Sequence, residues 1–577
     1  MTTVAEQIID ELYAAGVRHI YGIVGDSLNP ITEAIRRHRD FAWIHVHNEE
    51  AAAFAASGEA QVTGRLAVCA GSCGPGNTHL LQGLYDAHRS AAPVLALASH
   101  IPSSEIGTGY FQETHPDRVF VDCSHFCEMV NGADQLPRVL RIAMQTAVGL
   151  GGVSVLALPG DIGARSAANS SAPFTLTYAK PVEMPATEQV QRLAELLDRA
   201  EKVMLFAGAG VREARQEVLD LADAVQAPVG HSLGGKEWIQ YDNPYDVGMS
   251  GLLGYGACYQ AMHEADLVLL LGTDFPYDTF LPQRNTVQVD RDPSRLGRRT
   301  PLELGIAADV GATIRAVLPL LTKRSDGGFL ARMLHRHAAA LEDVVGAYTS
   351  KVGSMKPIHP EYVAAQLDDL ADDDAIFTVD TGMCNVWAAR YLTPTAGRRV
   401  IGSFRHGSMA NALPQALGAQ AAFPGRQVIS MSGDGGLSML LGELLTAREQ
   451  ELPVKVVVFN NGSLGMIRLE MMVAGYPYFQ TDHGITDYAA IAAACGLASV
   501  VAEEPGDVRP ALTRVLQADG PALVDVRTDP NTLSIPPKIT AEQVRGFALA
   551  SMRTVLDGGV GRMVEMARSN IRNVPRP

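Results

Sequence analysis

The sequence has no surplus of basic residues. Its 47 Lys and Arg are outnumbered by 63 Asp and Glu, for a formal net charge of −16. That balance excludes wholesale binding to nucleic acid, although an acidic chain can still carry a local basic patch. No uninterrupted apolar stretch reaches the ~18 residues that a membrane-spanning helix requires. The opening stretch, MTTVAEQIIDELYAAGV, places Glu6, Asp10 and Glu11 where a secretory signal would have a basic start and then an apolar block. The expectation is a cytoplasmic protein. Cysteine is scarce, with seven in the chain. Cys69 with Cys73, and Cys123 with Cys127, make two C-x3-C pairs. Cys69 lies in the apolar run LAVCA and Cys73 in a glycine-rich turn, so reduced structural thiols are expected rather than zinc. There is no short-period repeat and no low-complexity tract.

What is present suffices for several large cores. The 577 residues are 47% apolar and 19% charged, the balance of an ordinary globular protein. At ~150 residues per domain the length predicts roughly three or four domains. In the first block Ala5, Ile8, Ile9, Leu12 and Tyr13 have helical spacing, and Gly16 can end that helix. HIYGIVG, RLAVCAGSCGPGN, APVLALASH and GVSVLALPGD then read as buried strands that run into turns. Ala164 to Gln189, rich in Ser, Ala, Thr and Pro, reads as a linker. A second block has strands in KVMLFAGAG, PVGHSL, LVLLLGTDF and TVQVDRD, and a charged helical stretch near Leu330 to Lys351 leads to the boundary KPIHPEY. A third block repeats the rhythm of the first with AIFTVDTG, QVISMSGDGG, PVKVVVFNNGS and PALVDVR. Strands separated by helices predict an α/β protein of three doubly wound parallel-sheet domains. The expected bounds are 1–165, 185–335 and 355–530, with a tail over 531–577. The last stretch, GRMVEMARSNIRNVPRP, sets four Arg against one Glu, with Met563, Val564, Met566 and Ile571 between them. Such a segment can lie on an anionic membrane surface or pack on its own domain.

Ligands of open α/β sheets bind at the carboxyl ends of the strands. There, VISMSGDGG (Val428 to Gly436) ends an apolar run in glycines around Asp434. Glycines let a backbone approach a ligand closely. A helix read as beginning after Gly436 would turn its N–H groups toward an anion. From Gly435, 24 residues lead to Asn460-Asn461. They fit a helix, LSMLLGELLTAREQ, and the buried strand PVKVVVF, which return the chain beside the previous strand. The carboxylate of Asp434, the amide oxygen of Asn461 and a backbone oxygen at Ser463 are then a donor set for Mg2+ with ligand phosphates.

This GDG to NN spacing resembles the diphosphate and Mg2+ motif of thiamine-diphosphate enzymes. YGIVGDSLNPI, NEEAAAFAA, AVCAGSCGPGN, HIPSSEIGTGYFQETHP, YDNPYDVGMSGLLGY and FRHGSMANALPQALGAQ extend the resemblance along nearly the whole chain. They look like the bacterial pyruvate dehydrogenase (quinone) or pyruvate oxidase family, to which acetolactate synthases are related. The resemblance implies that Asp434, Gly435, Gly436 and Asn461 bind the diphosphate and Mg2+. It implies that Glu49 hydrogen-bonds the aminopyrimidine, with Glu50 the rival. Asn48 stands where family members usually have His, and His47 is one residue earlier. Gly25, Pro75 and Asn77 match the pyrimidine pocket, and Gly407, Ser408 and Met409 a loop on the cofactor. Phe111 and Gln112 match substrate-side positions. In the middle domain, Gly251-Leu252-Leu253-Gly254, Asp274-Phe275-Pro276-Tyr277-Asp278 and Asp290 match FAD-contacting positions. Gly208 and Gly210 are candidates for the pyrophosphate.

The implied reaction is oxidative decarboxylation of pyruvate to acetate and CO2, with electrons passed through FAD to a membrane quinone. The alternatives are an acetolactate synthase-type transferase with structural FAD, and an oxidase using O2 and phosphate to form acetyl phosphate. A binding protein on the same fold would be expected to lack Glu49, Asp434 or Asn461. The resemblance further implies a homodimer or tetramer, with cofactor sites between subunits, and lipid contact through the tail.

Overall fold

Strands covered by helices on both faces must be apolar on both faces. That requirement shapes three sheets in the computed structural model, which describes residues 2–168, 175–179, 181–346, 349, 353–532, 541–556 and 560–570. The first sheet contains β1 (His19–Gly22), β2 (Ala42–His45), β3 (Ala67–Gly71), β4 (Val94–His100), β5 (Phe126–Met129) and β6 (Val153–Pro159). Their order is β2-β1-β3-β4-β6-β5, with every pair parallel. Side chains alternate across a strand. On β4, Leu95 and Leu97 enter one core with the helix Val4–Ala14, while Val94, Ala96 and Ala98 enter another with the helix Glu49–Thr63.

The second sheet contains β7 (Val203–Ala207), β8 (Val229–His231), β9 (Asp246–Met249), β10 (Tyr255–Gly256), β11 (Leu267–Leu271), β12 (Thr286–Asp290) and β13 (Leu304–Ala307). Its order is β10-β9-β8-β7-β11-β12-β13. One pair departs from the expected parallel arrangement: β10 runs antiparallel to β9. The chain doubles back there through Gly251, whose φ of +109° suits glycine.

The third sheet contains β14 (Ile376–Val379), β15 (Arg399–Gly402), β16 (Val428–Gly433), β17 (Lys455–Asn460), β18 (Ala498–Ala502) and β19 (Ala522–Arg527). Its order, β15-β14-β16-β17-β19-β18, is the permutation of the first sheet, again all parallel. The shared rhythm of the two blocks is thus a shared topology.

The equivalent helices of these two domains, Glu49–Thr63 and Ala412–Ala422, each follow the second strand of their sheet and pack on each other. The contact is reciprocal. A Cβ on Gly58 would overlap the Gln415 carbonyl, and one on Gly418 would overlap the Ala55 carbonyl. The missing side chains of Gly58 and Gly418 let the two backbones touch. Buried Asp86 then accepts hydrogen bonds from Ser57 at 3.0 Å and from Gln415 at 2.9 Å across the junction.

The described part of the tail packs on its own domain. Helices Ala541–Leu556 and Val560–Asn570 lie against Gly465–Val473, with Ala550 and Met566 buried beside Met472 and with Phe547 and Met563 around them. Val564 stays exposed, and Ile571 lies outside the described residues. Among the described residues no helix is long and apolar enough to cross a membrane.

Candidate active site

Gly433 at the end of β16 pairs in register with Phe459 on parallel β17, so Asp434 and Asn461 leave the sheet side by side. The helix starts at Asp434, not after Gly436, and the expected long helix is two: Asp434–Met439 and Glu443–Glu449. The interruption lets Gly442 approach His47 of the first domain. Asp434 is buried. Its Oδ1 accepts from Gly435 N at 2.9 Å and its Oδ2 from Gly462 N at 2.6 Å. His483 Nε2 lies 3.2 Å from Oδ2, and the Tyr488 hydroxyl donates to the Asp434 carbonyl at 2.9 Å. Burial raises the Asp434 carboxyl above its ordinary range, against the pull of His483 and the two backbone N–H groups.

The two adjacent asparagines divide the work. Asn460 is committed to the fold, donating to Asp525 Oδ1 at 2.9 Å and to the Thr486 carbonyl at 2.8 Å. Asn461 is turned by a 2.9 Å bond from Ser463 N to its Oδ1, and the Ser463 carbonyl accepts from Gly465 N at 2.9 Å. Ser463 Oγ is buried without a hydrogen-bond partner. Carboxylate, amide and main-chain or hydroxyl oxygens beside two glycines suit a hard cation with a diphosphate. The donor set fits Mg2+.

Asp380, at the end of β14, was not singled out by its sequence. It is 1% exposed and accepts from Gly433 N at 3.3 Å and Thr381 N at 3.1 Å. The Ala410 N–H also faces it, and burial pushes its carboxyl up to about 7. One side chain therefore ties the Asp434 loop to the loop bearing Gly407, Ser408 and Met409. Met409 lies against Gly435: a Cβ there would sit 3.4 Å from Met409 Cε. Ser408 Oγ accepts from Gln82 of the first domain at 2.9 Å, and Tyr85 stacks on His406 with ring centroids 5.6 Å apart. Gly407 is exposed, at φ +77°.

In the first domain Asn48 accepts from Glu50 N at 2.9 Å and caps the helix whose first residue is Glu49. Asn is a good residue for that N-cap position. Glu49 is 7% exposed, and its Oε2 lies 3.0 Å from His79 Nδ1. Its Oε1 would be 2.9 Å from a Cβ on Gly76, so glycine opens the space that the carboxylate fills. Pro75 begins the short helix that bears Gly76 and Asn77. Asn77 Nδ2 donates to the Ser99 carbonyl at 2.6 Å, while its Oδ1 is buried without a partner. Gly25 packs on Ser72 of the adjoining loop. Glu50 is half-buried, and burial raises its carboxyl. Gln112 adopts φ +62°, packs over Gly74 and accepts from Cys73 Sγ at 3.3 Å. Phe111 beside it is 77% exposed.

In the middle sheet the chain leaves β7 toward β8 and later leaves the adjacent β11 toward β12. A crevice forms where the winding reverses. Gly208 and Gly210 have an internal reason to be glycine there, since a Cβ on either would strike the backbone of Gly272. Gly251 faces Phe275, where a Cβ would come 2.8 Å from Cζ, and Tyr277 packs edge-on against Phe275. Leu252, Pro276, Tyr277 and Asp278 are exposed. Asp274 pairs with Arg298 at 2.9 Å through Oδ2, leaving Oδ1 buried without a partner. Asp290, raised by burial, accepts from Asp292 N at 3.0 Å. Leu253 and Gly254 present their carbonyls to Arg390 of the third domain at 3.3 and 3.1 Å. These carboxylates and glycines fit a nucleotide with ribose hydroxyls. Arg390, His79 and His483 carry no local signature, because each acts on a residue distant in sequence.

Comparison with known proteins agrees with this layout. Residues 2–119, 190–317 and 380–526 match the N-terminal TPP binding, central and C-terminal TPP binding domains of thiamine pyrophosphate enzymes. The chain is 35% identical over 573 residues, 98% of each chain, to the putative thiamine pyrophosphate-containing protein YdaP of Bacillus subtilis. It is 32% identical to acetolactate synthase of Mycobacterium bovis, over 88% of this chain and 84% of the relative. It is also 32% identical to pyruvate oxidase of Lactiplantibacillus plantarum, over 80% of this chain and 77% of the relative. With similarity running through all three domains, the chain belongs to the thiamine pyrophosphate-dependent enzyme family that includes acetolactate synthases and pyruvate oxidases.

Proposed function

We propose that this enzyme converts pyruvate and water to acetate and CO2, and passes the two electrons released through FAD to a membrane quinone. The observation that carries the reading is the joining of two sites in one chain. The middle domain has a topological switch point whose glycines and carboxylates fit a nucleotide, and Arg390 bonds the Leu253 and Gly254 carbonyls of the neighbouring loop from the thiamine-binding third domain.

Thiamine diphosphate with Mg2+ supplies an electron sink for decarboxylation when bound, and FAD a two-electron acceptor. Asp434, Asn461 and Ser463 would hold the metal, with Gly435 and Gly436 giving its diphosphate room. Met409 would pack against the cofactor, and Gly25, Pro75 and Asn77 would line its pyrimidine. Glu49 would hold a proton in a hydrogen bond to the pyrimidine ring, oriented by His79. Gln112, locked by Cys73, and exposed Phe111 would face the incoming 2-oxo acid. Gly251 to Gly254, Asp274 to Asp278 and Asp290 would receive FAD. In a homodimer or a dimer of dimers, Phe111 would be covered by a second copy. The tail, 531–577, would bring the quinone-reducing form to lipid.

A second reading is an acetolactate synthase-type transferase with structural FAD, which the similarity to acetolactate synthases supports. A third is the acetyl-phosphate-forming oxidase. The test is anaerobic: pyruvate is added to protein loaded with thiamine diphosphate, Mg2+ and FAD, and the flavin absorbance is followed. Bleaching that is reversed by a quinone, with acetate as product, is expected. A flavin that stays oxidised while acetolactate accumulates would overturn the reading in favour of the transferase. Reoxidation by O2 with phosphate-dependent acetyl phosphate would favour the oxidase.

A further inference from the structure

Two consecutive glutamates open the helix Glu49–Thr63, and it is Glu49 that lies against Gly76 and sits within hydrogen-bond distance of His79. Successive helical residues point ~100° apart. The phase of the first turn therefore decides which carboxylate enters the site. Asn48 sets part of that phase by capping. The rest comes from another domain.

Glu443 begins the helix Glu443–Glu449, directly after the break that follows the metal loop. It is 1% exposed. Its Oε1 accepts from His47 N at 3.1 Å, and the N–H of Asn48 also faces the carboxylate. Its Oε2 accepts from the Thr446 hydroxyl at 2.7 Å, and Thr446 Oγ1 lies 2.9 Å from His47 Nδ1. His47 is thus gripped at its main chain and at its ring. Gly442 lies beside it, close enough that a Cβ there would be in ordinary contact with His47 Cβ at 3.5 Å. A buried carboxylate is costly to place against a plain backbone turn unless hydrogen bonds compensate it. Here those bonds go to the two residues that precede Glu49.

We infer that Glu443 is a positioning residue for Glu49: it clamps His47 and Asn48 from the third domain, and so selects Glu49 over Glu50 as the carboxylate presented to the pyrimidine. The inference rests on the reading of Glu49 given above. It also ties the helix that leaves the metal loop to the entry of the pyrimidine-side helix.

The test uses the full chain with E443A, E443Q and T446V, and two readouts. The first is amide hydrogen exchange of residues 47–50 in the protein without cofactor. The second is hydrogen–deuterium exchange at the thiazolium C2 of bound thiamine diphosphate, beside its dissociation constant in Mg2+. E443A is expected to lower protection of His47 and Asn48 by about tenfold or more, the scale of one lost buried hydrogen bond. It is expected to slow C2 exchange by a similar factor, with cofactor affinity changed less than about threefold. E443Q should stay near wild type, because its amide oxygen can still accept from His47 N. Unchanged protection in E443A would overturn the inference. So would a loss of cofactor affinity as large as the loss of exchange, because Glu443 would then serve the diphosphate side. If E443A does not fold, T446V decides: reduced protection at His47 supports the clamp, and wild-type protection overturns it. Failure of the wild type to bind the cofactor would refute the thiamine reading instead, while the amide measurement would still report on the clamp.

Discussion

Asp380 and Gly436 compete for one space: a Cβ at position 436 would overlap the Asp380 Oδ2. The carboxylate sits beneath the metal loop and takes the Gly433 N–H, so neither partner can retreat without moving Asp434. G436A should raise the thiamine diphosphate concentration for half-saturation by about tenfold or more, the effect of displacing a preorganised donor set. D380A/G436A should recover part of the loss, because the added methyl then has room. Cofactor titration in Mg2+ measures both, and equal affinity in G436A would show that the loop relaxes freely.

The two glutamates at the head of the helix Glu49–Thr63 make a second comparison. E49Q should reduce turnover by roughly 10²-fold or more, the scale of a lost acid–base group, while cofactor affinity is kept. E50Q should stay within about threefold. Steady-state kinetics with a soluble dye acceptor separates them, and the reverse ranking would assign the role to Glu50.

Arg390 is the hinge pin between the middle and third domains. R390A strips the donor from the Leu253 and Gly254 carbonyls and should cost about 1.5–3 kcal/mol of loop docking. Protein passed through gel filtration should then retain less FAD than wild type. Full retention would mean that the loop holds its shape alone.

His231 is fully buried, with Nδ1 3.0 Å from the Ser232 carbonyl and Nε2 3.9 Å from Asp246. Burial pushes it down to about 4 from 6.5, with Lys236 and His337 adding to the shift and Asp246 opposing it. The unfolded chain therefore binds a proton between those values that the folded chain refuses. The contribution is fully present above the unfolded value and is lost as pH falls toward 4, by about 3 kcal/mol at most. Raised carboxyls such as Asp86, held up to about 6 by burial, act in the opposite direction. The measurement is thus a difference: denaturant midpoints of wild type and H231N should diverge between pH 7 and 4.5, with the variant less sensitive. Parallel curves would show that His231 does not control the acid limb.

The central strands are legible in the sequence and the edges are not. β4, β6, β11 and β17 are buried at every residue and read as mostly apolar runs, with polar residues confined to the strand ends or to a single position. β2, β5, β13 and β18 lie at sheet edges, each half covered, and show neither a run nor a clean alternation. β9 and β10 escape for a related reason, since one carries Asp246 and the other is two residues long.

For the site, local sequence determined what a strand must do at its end. The glycines around Asp434, the paired asparagines and the loop at Pro75 announce a turn that brings backbone and oxygen donors to a ligand, because that chemistry is contiguous in the chain. Tertiary structure alone decided which residues support them. Asp380, His79, His483, Arg390 and Glu443 come from other strands and helices, and no spacing links them to the groups they hold. A hydrogen bond between domains depends on sheet order and helix packing, which arise from burial summed over the whole chain rather than from any one stretch of it.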